Sequence, residues 1–167
     1  MQNTIRVATY NVSLFGKEPG ETTERLKAKK DQQIADLLAV LTHANPDIVL
    51  INELDFDETE SAANAFAQRL SDALPEHSAF GARAFTSNTG VQSGYDLTGS
   101  GSIDSPENAQ GYGAFPGQYG FALLSRFPVT SVRSFGRLLW RDMPGARLPD
   151  AQPGSGRGDY FSPEAQA

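Results

Sequence analysis

The chain has 167 residues, 39% of them hydrophobic and 20% charged, which suits one ordinary domain with a core and excludes global disorder. Its formal net charge of -6 argues against passive capture of nucleic acid by a basic surface, but not against an enzyme that meets phosphates through a bound cation. The absence of cysteine excludes disulfides, zinc–thiolate sites and cysteine nucleophiles, and no apolar run is long enough to span a membrane.

Met1 leads almost directly into a strand-like run with no secretory leader, so the cytoplasm is the default location, with secretion left to a trimmed precursor. Residues 5–10, IRVATY, alternate and predict a strand. A polar loop, FGKEPGETT, follows. Ile34, Leu37, Leu38 and Leu41 then fall at i, i+3, i+4 and i+7, which predicts one helix over about residues 24–43, closed by Asn45-Pro46. The apolar run from Ile48 to Ile51 predicts a second strand, Asp47 to Glu53, completing a β-α-β unit whose strands run parallel.

Ala63, Phe66, Leu70 and Leu74 predict a helix over 59–74, with Asp57 and Glu60 at capping-box spacing. SAFGARAFT (78–86) predicts a third strand, YGFALLSRFPV (119–129) a fourth and TSVRSFGRLL (130–139) a fifth. Residues 1–143 thus form the organised part, with a Gly/Ser-rich insertion at 87–118, and the Pro/Gly-rich 144–167 is expected to be irregular.

In a parallel β-α-β unit both strands end at the same edge, where ligands of open α/β sheets collect. Asn11 and Glu53 stand at those two ends. An amide oxygen and a carboxylate are hard donors that suit Mg²⁺, or Mn²⁺, alongside water and substrate phosphate. The plainer alternative is that strands commonly end in turn-forming Asn and Asp, and Asp55 and Asp57 fit that description.

RVATYNV, then a helix, then NPDIVLINELD, then YGFALLSRFPV together resemble the endonuclease/exonuclease/phosphatase (DNase I-like) superfamily over about residues 5–55 and 117–129. The resemblance implies part of a four-layer α/β sandwich, with two mixed β-sheets packed face to face and helices outside. It implies a metal-dependent hydrolase in which water attacks a phosphate ester, with Glu53 as metal ligand and Asn11 as the asparagine of the first motif. Gln118 and Tyr119 fall where relatives place residues near the substrate phosphate; packing at the core edge is the alternative. The substrate could be nucleic acid, phospholipid or inositol phosphate.

The family pattern continues into a Gly-Asp-x-Asn and a Ser-Asp-His segment, and neither occurs here. The only histidines, His43 and His77, lack a paired acid in sequence. The chain is therefore expected to represent the N-terminal half of such a domain and to be inactive alone, with one sheet face uncovered. The competing functional class is a non-catalytic, Ca²⁺-braced binding module. A flavodoxin-like ligand-binding domain is disfavoured because NVSLFG lacks a phosphate-cradling glycine pattern.

The calcium candidate is DLTGSGSIDSPE (96–107), where Asp96, Thr98, Ser100, Ser102, Asp104 and Glu107 follow EF-hand loop spacing with Gly101 at the sixth position. The plainer reading is a mobile surface loop. Arg126 reads as a solvated turn arginine or a phosphate contact, and Trp140 as core. RGD at 157–159 matches a cell-adhesion tripeptide, a motif short enough to arise by chance.

Overall fold

The computed structural model describes residues 4–28 and 30–146. Four strands form one mixed sheet: β1 (Val7–Leu14), β2 (Ile48–Leu54), β3 (Gly81–Phe85) and β4 (Phe121–Ser125), in the order β1-β2-β4-β3. β1 and β2 are parallel, as the β-α-β pattern predicts, while β4 runs antiparallel to both β2 and β3. Three helices accompany them, α1 (Glu21–Lys27), α2 (Gln32–Ala44) and α3 (Ser61–Ala73).

The single helix expected over 24–43 is two helices. Asp31 is extended, with φ -131°, and its carboxylate accepts from the Ile34 amide, so a fresh N-cap interrupts the run. Arg25 fixes the break by donating to Asp31 at 2.8 Å. Asp57 does not form the expected capping box. Its carboxylate reaches forward to the amides of Thr59, Ser61 and Ala62, while Glu60 occupies the N-cap and accepts from the Ala84 amide of β3.

The core lies on one face of the sheet. Val49 and Ile51 of β2 and Leu124 of β4 meet Ile34 and Leu41 of α2 and Phe66 of α3 in one apolar cluster. The Phe66 side chain is wholly inaccessible, which contributes about 2–3 kcal/mol of transfer free energy. The other face stays open. Val7 there is 69% exposed, Leu50 and Leu123 are half-buried, and Phe85 and Phe121 stack with ring centroids 5.7 Å apart. One sheet and one helical layer are thus present among the described residues, consistent with part of the expected four-layer sandwich.

Beyond β4 the segment 130–139 does not form the expected strand. The segment is exposed and ends in a single 3-10 turn, Trp140–Asp142. Trp140 is 60% exposed and not in the core. Val132, Phe135 and Leu138 recur every third residue, so an extended backbone would split them between its two faces, and all three are exposed. No helix among the described residues is long and apolar enough to cross a membrane. The RGD tripeptide lies outside the described residues, as does nearly all of 144–167.

Candidate active site

The carboxyl ends of β1 and β2 bring Asn11 and Glu53 together. The Asn11 Nδ2 donates to Glu53 Oε1 at 2.7 Å, and Asn11 Oδ1 accepts from the Ser13 amide at 3.0 Å. A regular strand would turn Glu53 to the face opposite Asn52, away from Asn11, because successive side chains alternate. A bulge changes this. From Asn11 to Leu14 β1 advances three residues where β2 advances two, Asn52 to Leu54. Ser13 (φ 46°) and Glu53 (φ 57°) absorb the mismatch in the left-handed region, each at a cost of about 1–2 kcal/mol for a non-glycine residue. Strain of this kind held at one point of a strand edge fits a site whose geometry matters more than its local stability.

Beneath this pair lies a residue that sequence reasoning passed over as a turn former. Asp55 is 7% exposed. Its Oδ2 accepts from the Gly16 amide and the Thr22 hydroxyl, both at 2.7 Å, and its Oδ1 from the Tyr119 amide at 3.2 Å. One carboxylate therefore ties the loop after β1, the start of α1 and the approach to β4 under the Glu53 edge. Three converging donors from segments a hundred residues apart leave no local signal; the only hint was a carboxylate two residues beyond Glu53.

Gln118, expected near substrate, is 4% exposed and faces inward. Its amide nitrogen donates to Gly16 O at 2.8 Å and its amide oxygen accepts from the Ala114 amide at 2.7 Å, so in this arrangement it positions its neighbour. That neighbour, Tyr119, precedes Gly120, whose carbonyl accepts from the Leu54 amide at 3.1 Å. Its backbone is left-handed (φ 57°), and its ring lies 4.5 Å from Phe15 and 6.1 Å from Tyr112, centroid to centroid. Burial pushes the Tyr119 hydroxyl above its ordinary pKa, and Tyr112, Asp55 and Glu53 push it the same way, which places the phenol within electrostatic range of both acids.

The remaining candidates lie elsewhere. Asp96 binds its own loop, its oxygens accepting from the amides of Thr98, Ser100 and Gly101. The Gly101 amide is the main cause of its lowered pKa. Asp104 and Glu107 are exposed. The loop's centre is the buried Asn108, whose Oδ1 accepts from the Leu97 and Thr98 amides and whose Nδ2 donates to Ser102 O. The insertion is thus a hydrogen-bonded structure around Asn108.

Arg126, expected in solvent or on phosphate, has its side chain turned inward, 5% exposed. Its guanidinium sits 4.7 Å over the Phe80 ring and donates to Asn45 Oδ1 at 2.8 Å. Because β4 is antiparallel to β2, Arg126 falls beside the start of β2, at the opposite end of the sheet from Glu53, about 20 Å along a strand of this length. His77 is at that end as well, against Asn45 at 3.3 Å, and His43 sits in the last turn of α2. Among the described residues no group of three or more His, Cys, Asp or Glu could hold a metal alone. Asn11 turns its nitrogen to Glu53 and its oxygen to the Ser13 amide, so the Glu53 carboxylate is the donor at this edge that fits a Mg²⁺ ion completed by water and phosphate.

A family model described as Endonuclease/Exonuclease/phosphatase family matches residues 8–166. Among solved structures, the chain is similar to an endonuclease/exonuclease/phosphatase family protein from Leptotrichia buccalis C-1013-b, at 14% identity and a TM-score of 0.35 over 77% of this chain and 40% of that one. It is also similar to an endonuclease/exonuclease/phosphatase from Beutenbergia cavernae DSM 12333, at 16% identity and a TM-score of 0.32 over 77% of this chain and 27% of that one. The chain therefore spans well under half the length of either. No curated protein matches it.

Proposed function

The chain belongs to the endonuclease/exonuclease/phosphatase family, and on that premise we propose that the Asn11–Glu53 edge is the metal-holding part of a phosphoesterase site. Glu53 is the ligand of a divalent cation, Mg²⁺ or Mn²⁺, with Asn11 beside it. Such a cation supplies charge stabilisation at the phosphoryl oxygens and lowers the pKa of water. The observation that carries the reading is the 2.7 Å hydrogen bond between the two side chains at one strand edge, held there by a left-handed backbone at Glu53.

The chain's own residues then divide the work. Asn11 orients the Glu53 carboxylate by donating to Oε1, leaving lone pairs on that carboxylate for a cation. Asp55 and Gln118 fix the floor of the site by holding Gly16 and Tyr119 from beneath. Tyr119 carries a phenol proton held firmly at neutral pH, so it acts as a hydrogen-bond donor to a phosphate oxygen.

No Asp-x-Asn segment exists in the sequence, and neither histidine stands at this edge. The groups that would accept the water's proton and steady the phosphoryl group are therefore missing from it, and the 167-residue chain alone is proposed to bind metal and phosphate without turnover. Binding of Mg²⁺ followed by calorimetry in wild type and Glu53→Gln tests this. Loss of at least tenfold in affinity is expected, and equal affinities would remove Glu53 from the site. Metal-dependent hydrolysis of a phosphodiester by the pure chain would overturn the inactivity. A non-catalytic binding module is the competing reading; it predicts partner binding that survives Glu53→Gln.

A further inference from the structure

The three rings grouped around Tyr119 are not equivalent. Phe15 and Tyr119 are half-buried and pack against each other at 4.5 Å with planes inclined by 58°, a satisfied tilted pair. Tyr112 lies outermost and is 60% exposed. A large aromatic held in water is unexceptional on a mobile loop, but this one is braced on both sides. The Gly111 amide donates to Asn88 O at 3.0 Å, and Gly111 O accepts from the Gly90 amide at 2.8 Å. On the other side a Cβ at Gly113 would come within 2.7 Å of Gly90 N, so the backbone there is packed against residues 88–90 too closely for any side chain. The insertion thus fixes the backbone on either side of Tyr112, whose ring lies 6.1 Å from that of Tyr119, next to Gly120, whose carbonyl accepts from the Leu54 amide beside Glu53 at 3.1 Å.

We propose that Tyr112 is a specificity-determining residue whose exposed ring stacks on a planar base, so that the phosphate ester taken at the Glu53 edge is a nucleotide. The inference rests on the reading of Asn11 and Glu53 as a phosphate and metal site. A flat π-face is the feature that a preset aromatic ring recognises, and every base has one. An inositol ring and a phospholipid headgroup have none. The net charge of -6 repels long polyanions, so the ligand is a mononucleotide or the end of a short strand. Interior bases of a duplex already stack on both faces, so only a terminal or unstacked base offers a free face to the ring.

The test uses the full chain in Mg²⁺, with adenosine 5′-monophosphate and ribose 5-phosphate titrated separately by calorimetry. The base-bearing probe is expected to bind roughly tenfold tighter, in line with the contribution of one base–aromatic stack. Tyr112→Ala should abolish that difference and Tyr112→Phe should keep it, while Glu53→Gln should weaken both probes alike. Equal binding of the two probes to wild type, with both still weakened by Glu53→Gln, overturns the stacking role and leaves the phosphate site standing. A preference that survives Tyr112→Ala overturns it as well. Failure of both probes to bind, or binding indifferent to Glu53→Gln, overturns the stacking role and the metal-edge reading together.

Discussion

Replacing Asp55 by Ala removes an acceptor shared by three donors from distant parts of the chain: the Gly16 amide, the Thr22 hydroxyl and the Tyr119 amide. The Thr22 hydroxyl can rotate toward another acceptor, but the two amides cannot. Gly16 is buried and Tyr119 half-buried, so each orphaned N–H costs about 1–3 kcal/mol. Burying a carboxylate carries a desolvation cost of its own, and its removal returns part of the loss. The expected net destabilisation is about 2–4 kcal/mol. For a chain of this size that lowers the melting temperature by roughly 5–15 °C.

Urea unfolding followed by circular dichroism reads the difference directly, with the slope against denaturant unchanged if only stability has moved. Asp55→Asn keeps one carbonyl acceptor and should lie between wild type and the alanine variant. Asp57→Ala, which removes helix-capping contacts at α3, serves as the reference at about 1 kcal/mol. If Asp55→Ala costs no more than Asp57→Ala, the carboxylate does not hold these segments together and the reasoning fails.

Three further outcomes are expected. Asp31 has its pKa lowered, first by the side-chain hydrogen bond from Arg25. Its contribution is therefore complete above the unfolded value near 3.8 and is lost as pH falls through the lower folded value, so Asp31→Asn should flatten the stability profile only below about pH 4; a flattening near neutrality would contradict the assignment. Gly117 has φ +91°, and a Cβ there would lie 2.5 Å from Phe56 O, so Gly117→Ala should cost about 2–4 kcal/mol by thermal melting, whereas a neutral effect would mean the loop adjusts freely. Phe66→Ala empties the centre of the core and should cost about 3–5 kcal/mol in the same assay, and a loss under about 1 kcal/mol would show that α3 is not held by that ring.

Much of the frame was readable from periodicity. The alternation of IRVATY, the apolar run Ile48–Ile51 and the Phe66 and Leu70 stripe each report a surface that the local backbone can bury by itself. Readings failed where a distant partner decides. The helix break at Asp31 depends on Arg25 reaching across it, and the Arg126 side chain turns inward because Phe80 and Asn45 come to meet it. The 130–139 segment carries its large apolar residues at every third position, which gives an extended chain no single face to bury. At the site, placing Asn11 and Glu53 on one edge followed from strand order, but their contact depends on a one-residue bulge with two left-handed residues, which no composition rule announces. Asp55 was invisible as a hub for the same reason, since its partners are near only after folding.

The two interior strands set a hierarchy of opening. β2 is paired on both sides, to β1 and to β4, whereas β3 is an edge and the insertion carrying Tyr112 hangs on isolated bridges and turn hydrogen bonds. Amides of Ile51 and Asn52 should then exchange with solvent only when the whole domain unfolds, while those of residues 88–113 exchange through local openings of lower free energy. The carboxylate of Glu53 rides on the slowest-exchanging part of the molecule and the outer ring on a faster one. Substitutions in the insertion can therefore alter the surface around Tyr112 without disturbing the strand that carries Glu53.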